Sequence, residues 1–275
     1  MNIKPGTTEA LALDAVDALT EFVWIVGDPI AQVKAPQVMN PHYRAAGDNL
    51  LVVPAPVAAS DLAAVFDAAR RLANVRGWIV TVPHKMPLAA MVDELSTSAQ
   101  VAGAVNAIRF RDGRSTGDLF DGAGFAASLI ERGRGIRGMS AYVLGAGGVG
   151  SAIALALADG GAGRVTVHDP DSRRAEALVG RLTQLGPVGT RFATGVPTSL
   201  DGYDLLVNAS PLGMSGDLRL PIDPTLLRPS LAVAEVVMTP EVTPLLRAAQ
   251  ELGCEIHPGR QVLSGQLQLL LDYFR

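Results

Sequence analysis

The sequence predicts an α/β fold, and three observations predict it. Short apolar runs rich in valine and isoleucine alternate with segments of helical period, the pattern of strands covered by helices. The 275 residues exceed one ordinary domain and suffice for two modest ones. Midway along the chain, Gly145-Ala146-Gly147-Gly148-Val149-Gly150 lies between a predicted strand and a predicted helix, which marks the second domain as a Rossmann-type, doubly wound dinucleotide-binding unit.

In the first part, strands are predicted at 22–26, 50–53, 78–82 and 107–110, forming one layer of parallel strands with helices near 36–46, 60–73 and 87–95. Pro41 falls inside the first helix, where it removes a backbone donor and crowds the preceding turn, so that helix is expected to be short or kinked. The second part opens with a βαβ unit: a strand at 141–144, a helix at 151–159 stopped by Gly160 and Gly161, and a strand at 165–168. Further strands are expected at 205–208 and 231–237, and helices near 243–252 and 261–274 close the chain.

Composition excludes several function classes. Hydrophobic residues make up 48% of the chain, yet no uninterrupted apolar run reaches the length of a membrane span. The first 19 residues lack the basic and apolar regions of a secretory signal, so a cytoplasmic location is expected. A lone cysteine, Cys254, and four scattered histidines give neither a disulfide nor metal-ligand spacing, so no metal is expected. The net charge is -4 and no basic stripe is present, which argues against a nucleic-acid partner and for a small molecule. A homodimer is compatible with the sequence, although no segment requires one.

The chemistry resides in two places. Gly145, Gly147 and Gly150 allow a tight turn, close approach of backbone to a pyrophosphate and close helix packing, while the helix start presents free N–H groups to negative charge. The plain alternative is a glycine turn with no ligand. Asp169 ends the next strand, where an acid accepts from the ribose hydroxyls and repels a 2'-phosphate, so NAD is expected over NADP; Arg173 and Arg174 are near enough to compensate, and a solvated loop aspartate is the bland reading. Upstream, the run from Trp78 to Lys85 carries a lysine to the C-terminal end of a strand, where ligands of open α/β sheets gather and an ammonium can relay a proton. A lysine by itself is usually a solvated surface group.

Val80-Thr81-Val82-Pro83-His84-Lys85 resembles the signature strand of the shikimate/quinate dehydrogenase family. Gly103-Ala104-Val105-Asn106 resembles that family's G-A-V-N, and Gly117 to Gly124 resembles its G-x-N-T-D-x-x-G with Asp121 and Gly124 retained. Gly145 to Gly150 fits its cofactor loop, Asn208-Ala209-Ser210-Pro211-Leu212-Gly213-Met214 resembles N-A-T-P-x-G-M, and Pro240, Thr243, Pro244, Leu245 and Gln266 fall where its last blocks place them. Blocks in the family's order are far more specific than any one of them.

The resemblance implies a substrate domain at 1–116, completed by a C-terminal helix within 255–275, around a dinucleotide domain at 117–254. It implies Lys85 and Asp121 as the acid/base pair beside the reacting hydroxyl, with Thr81, Asn106 and Gln266 as hydrogen-bond partners of the substrate. It also implies a cofactor pocket of Gly145, Ala146, Gly147, Gly148, Val149, Gly150, Asp169, Asn208, Ser210, Met214, Val237 and Gly259.

The departures concentrate at one end of the substrate site. The family's G-x-P-I-x-H-S-x-S-P appears as Gly27-Asp28-Pro29-Ile30-Ala31-Gln32-Val33-Lys34-Ala35-Pro36, and its D-x-x-Y-x-P begins at Glu235 and has Met238 for the tyrosine. In the family those two serines and that tyrosine hold the substrate carboxylate. Val33, Ala35 and Met238 offer no donor, and a carboxylate buried without hydrogen bonds is costly. Ile79, Leu119 and Phe120 also replace polar residues of the family. The expected substrate is therefore a hydroxylated or oxo ring without a carboxylate, exchanging hydride with NAD(H). Lys34 offers a possible ammonium to an acid, which keeps shikimate or quinate as the second reading. The third, a non-catalytic dinucleotide sensor, gives no reason to retain Lys85 and Asp121.

Overall fold

The computed structural model describes residues 16–275 apart from Gln32, so that position of the first family block lies outside the described residues. The first half comprises β1 (Glu21–Gly27), α1 (Ala35–Ala46), β2 (Leu50–Pro56), α2 (Leu62–Ala69), β3 (Val75–Val80), α3 (Lys85–Ala89), β4 (Glu94–Leu95), α4 (Thr97–Ala102), β5 (Ala107–Arg111), β6 (Arg114–Asp118) and α5 (Asp121–Glu131). The second comprises β7 (Ser140–Leu144), α6 (Gly148–Asp159), β8 (Arg164–His168), α7 (Ser172–Leu185), β9 (Arg191–Thr194), β10 (Leu205–Asn208), β11 (Ala232–Glu235), α8 (Pro244–Glu251), β12 (Ile256–His257) and α9 (Arg260–Phe274). Among the described residues no helix is long and apolar enough to cross a membrane.

Two six-stranded sheets result, in the orders β2-β1-β3-β5-β6-β4 and β12-β11-β10-β7-β8-β9. The second is parallel throughout. Numbered from β7, it has the Rossmann order, with the reversal between β7 and β10. Its core stacks Val143, Val165 and Val207 against Ile153 and Leu157 of α6.

The first sheet corrects the expectation of a purely parallel layer. β1 pairs with β2 and β3 in parallel, whereas β5 runs antiparallel to both β3 and β6. The cause is local: Asp112 and Gly113 have φ of 51° and 74°, a two-residue turn that folds β5 back onto β6 as a hairpin. The helix expected at 87–95 is also corrected. Only Lys85–Ala89 is helical, and the Asp93 carboxylate then accepts from the Ser115 amide and hydroxyl, which draws Glu94–Leu95 onto β6. Pro41 does not shorten α1. The Asn40 side chain bonds both backbone groups of Val52, and buried Met39 and Tyr43 hold the helix on the sheet.

The break expected after 116 falls inside β6, and β12 pairs with β11, so only α9 returns to the first sheet. There Leu270, Leu271 and Phe274 pack with Val23, Ile25 and Tyr43. Trp78, Phe66 and Phe110 form the aromatic centre on the opposite face.

Candidate active site

Lys85 opens α3, directly after the turn that follows β3. That turn is anchored on both sides: the Thr81 amide donates to the Val26 carbonyl, and buried His84 donates through Nε2 to the Val57 carbonyl, at 2.9 and 2.7 Å. Lys85 Nζ lies 2.7 Å from Asp121 Oδ2, with its side chain 26% exposed. Asp121, the first residue of α5, is buried, and its Oδ1 accepts from Asn106 Nδ2 and Gln266 Nε2, each at 3.1 Å. Asn106 is aimed in turn by the Phe120 amide, which donates to its Oδ1 at 2.9 Å. Three predicted site residues, Lys85 of α3, Asn106 of the loop before β5 and Gln266 of α9, therefore meet on the carboxylate of a fourth, Asp121 of α5.

Two glycines make the meeting possible. A Cβ on Gly124 of α5 would stand 2.3 Å from Gln266 Cγ, and one on Gly265 of α9 would stand 2.1 Å from the Gly124 carbonyl. Without a Cβ at either glycine the helices cross closely, and the Gln266 side chain passes over Gly124 to reach Asp121. A third, Gly122, lets α5 approach α6, since its Cβ would stand 2.0 Å from the Ala152 carbonyl.

Beside this polar cluster the wall is apolar. Val33, Ala35, Phe120 and Leu267 pack against the cluster that contains Ile79 and Ala107, and Phe120 meets Tyr273 edge-on at 5.2 Å. Lys34 is exposed at the start of α1. Met238 follows β11 and is 41% exposed.

The glycine turn has the form a diphosphate requires. Gly145 has φ +106°, and a Cβ on Gly150 would stand 2.0 Å from the Gly145 carbonyl, so both positions exclude a side chain. Gly147 is open instead: only Arg174 Nη2, at 3.8 Å, lies within contact of an added Cβ. The first helical bond of α6 runs from the Ser151 amide to Gly147, which leaves the amides of Gly148, Val149 and Gly150 at the helix start for an anion. These features fit a dinucleotide diphosphate.

Two expected cofactor contacts are spent within the protein. The Ala146 amide donates to Asp169 Oδ2 at 2.9 Å, tying the turn to the end of β8. Asn208 is wholly buried; its amide nitrogen donates to the Leu212 carbonyl and Glu235, and its oxygen accepts from the Ser210 amide and hydroxyl. It shapes the 208–214 turn from within, leaving Ser210 half-buried and Met214 exposed at the surface. Val237 is buried, and Gly259 is packed so closely behind it that a Cβ would stand 2.4 Å from the Val237 carbonyl. Glu235, fully buried, is the residue whose part sequence reasoning missed. Its signal was an acid inside the apolar run Ala232-Val233-Ala234-Glu235-Val236-Val237.

The comparisons with known proteins agree with this geometry. Residues 25–108 match the model of the shikimate dehydrogenase substrate binding domain. A shikimate dehydrogenase (NADP(+)) of Rubrobacter xylanophilus is 36% identical over 256 residues, covering 92% of this chain and 90% of that one. The chain belongs to the shikimate dehydrogenase family. Solved members superpose along nearly the whole length: the ligand-free 5-ketofructose reductase of a Gluconobacter strain, with 27% identity, a TM-score of 0.83 and 94% of both chains covered, and the quinate dehydrogenase of Corynebacterium glutamicum in complex with NAD, with 28%, 0.79 and 93% of both. Family membership makes the chain an oxidoreductase that acts on a CH–OH group with a nicotinamide dinucleotide.

Proposed function

We propose that this protein is a dehydrogenase, working in either direction, for a cyclic hydroxy or oxo substrate that lacks a carboxylate, with NAD(H) preferred to NADP(H). The observation that carries the reading is an intact Lys85–Asp121 pair, supported by Asn106 and Gln266, beside a wall of Val33, Ala35 and Phe120 that offers no donor to an acid. The 5-ketofructose reductase that superposes on this chain supports it, since 5-ketofructose is a neutral ketosugar.

Lys85 gives a proton to the substrate oxygen on reduction and recovers it on oxidation; an ammonium held at 2.7 Å by Asp121 presents its remaining N–H groups to that oxygen. Asp121 keeps the lysine in place, while Asn106 and Gln266 orient the carboxylate and line the ring's hydroxyls. Thr81, half-buried on the turn ahead of Lys85, adds a hydroxyl to the same end. A bound nicotinamide supplies or accepts the hydride at the adjacent carbon.

The preference for NAD rests on how the basic residues are engaged. Arg173 is drawn to Asp171 at 3.0 Å and Arg174 leans toward Asp169 at 3.9 Å, so two carboxylates occupy the surroundings that a 2'-phosphate would need. The named Rubrobacter relative uses NADP(+), and the quinate dehydrogenase holds NAD.

The test follows NADH absorbance with cyclic polyols and cyclic ketones against shikimate and quinate. Neutral rings should be turned over, with shikimate at least about 100-fold poorer in kcat/KM. Val33→Ser combined with Ala35→Ser should narrow that gap by improving shikimate. Shikimate turnover by the native protein as efficient as that of the best neutral ring would overturn the reading, and a kcat/KM for NADP equal to that for NAD would overturn the cofactor preference.

A further inference from the structure

Behind the dinucleotide turn lies a buried acid that the proposed chemistry does not use. Asn208 and Glu235 end β10 and β11 in register, and both are wholly buried, as is Thr243, the residue that caps α8. Glu235 Oε2 accepts from Asn208 Nδ2 at 3.0 Å, and Oε1 accepts from Thr243 Oγ1 at 2.8 Å. A backbone bond from Val237 also reaches the carboxylate.

We propose that Glu235 is a positioning residue: its carboxylate, acting through Asn208 and Thr243, fixes the turn 208–214 against the glycine loop and so sets dinucleotide affinity. The inference rests on the dinucleotide site proposed above. Asn208 Oδ1 gathers the Ser210 amide and hydroxyl at 3.0 and 2.6 Å, and its amide nitrogen also holds the Leu212 carbonyl at 3.1 Å. Residue 209, between them, is what the glycine loop packs on. A Cβ on Gly145 would stand 2.9 Å from the Ala209 carbonyl, and one on Gly150 would stand 3.2 Å from Ala209 Cβ. On the other side, Val237 lies against Gly259, immediately before the helix that carries Gln266.

One side-chain donor faces each of the two oxygens, an arrangement that suits the ionised acid. Glutamine would keep one acceptor oxygen for Asn208 and turn the Thr243 hydroxyl from donor to acceptor, removing the charge that both groups solvate. Among the described residues no cation offsets the burial of the carboxylate: Asn208 from β10 and Thr243 from the α8 cap are both neutral. His257 on β12 is turned away toward Ser128, with Nε2 2.8 Å from its hydroxyl. Burial pushes the Glu235 carboxyl up to about 7, the bonds from Asn208, Thr243 and Val237 pulling the other way, so acidification toward neutrality removes the charge that the network is built around.

Calorimetric titration of the full chain with NAD tests this, using the native protein, Glu235→Gln and Glu235→Asp at about pH 8 and about pH 6. NAD binding by the native protein is the control for the site itself; if it fails, the dinucleotide reading falls first and this inference with it. Given that control, Glu235→Gln should bind NAD about ten-fold more weakly at the higher pH, with a smaller deficit at the lower pH, and Glu235→Asp should recover part of the loss. A glutamine variant that binds NAD as the native protein does at both values, whatever its melting temperature, overturns the proposal. If the glutamine variant does not fold, the native protein and Glu235→Asp decide: NAD affinity in both that is unchanged between the two pH values overturns it equally, and a fall on acidification supports it.

Discussion

Consider the replacement of His257 by glutamine. The imidazole is 3% exposed, pairs with Ser128 Oγ at 2.8 Å, and meets Phe125 edge-on at 5.8 Å. Burial, with help from Arg132 and Arg134 and against the pull of Glu255, lowers its proton affinity from 6.5 to about 4. The unfolded chain therefore takes up a proton that the folded one refuses. The stability this contributes is present above 6.5 and is lost as the pH falls through about 4, a change of about 3 kcal/mol. Glu235 has the opposite sign. Raised from 4.5 to about 7, it contributes stability that is present below 4.5 and lost as the pH rises through about 7, again about 3 kcal/mol. Between 4.5 and 6.5 the two trends cancel in the native protein. His257→Gln removes one of them. Denaturant midpoints measured from about pH 7 down to about pH 4 should show the variant gaining on the native protein by about 3 kcal/mol as acid is added. Parallel curves for the two proteins would refute the reasoning.

Other outcomes follow from the same contacts. Lys85→Met should lower kcat by about 100-fold or more with NAD affinity unchanged, read by steady-state kinetics and NAD titration. Gly150→Ala, whose Cβ would stand 2.0 Å from the Gly145 carbonyl, should weaken NAD binding in the same titration by about ten-fold or more. Gly265→Ala forces α9 away from the Gly124 carbonyl and should lower kcat more than it raises the KM for NAD, because it displaces Gln266 from Asp121. Phe274→Ala removes a fully buried ring and should cost about 3–5 kcal/mol of stability in a denaturant melt.

Much of the architecture was legible because it was written locally. The Val/Ile runs located β7, β8 and β10, and the glycine spacing marked the turn at α6, since tight turns and close backbone approach demand particular residues at particular offsets. The β5–β6 hairpin was also written in Asp112-Gly113, but while β5 was expected at 107–110, its partner Arg114–Asp118 is too polar to stand out as an apolar run. β4 has only two residues and exists because Asp93 and Ser115 bond to each other, which no periodicity reveals. The assembly of Lys85, Asn106, Asp121 and Gln266 was reached through family blocks; spacing alone does not disclose contacts across 36 or 145 residues of chain. Glu235 was passed over because burial is a property of the packed molecule: an acid within an apolar strand reads as a surface residue until both of its oxygens are seen to be held. Ala146 and Asn208 were assigned to the ligand for the converse reason, since sequence shows which groups can bond and not which have already done so.

The crossing of α5 and α9 has a consequence for synthesis. A chain released from the ribosome before α9 would own every amide of the glycine turn, together with Lys85 and Asp121, but would lack Gln266 and the packing of Leu270, Leu271 and Phe274 on the first sheet. Such a fragment would hold the acid/base pair without the amide that orients its carboxylate. That amide is seated beside the reacting centre by the close approach of Gly124 and Gly265.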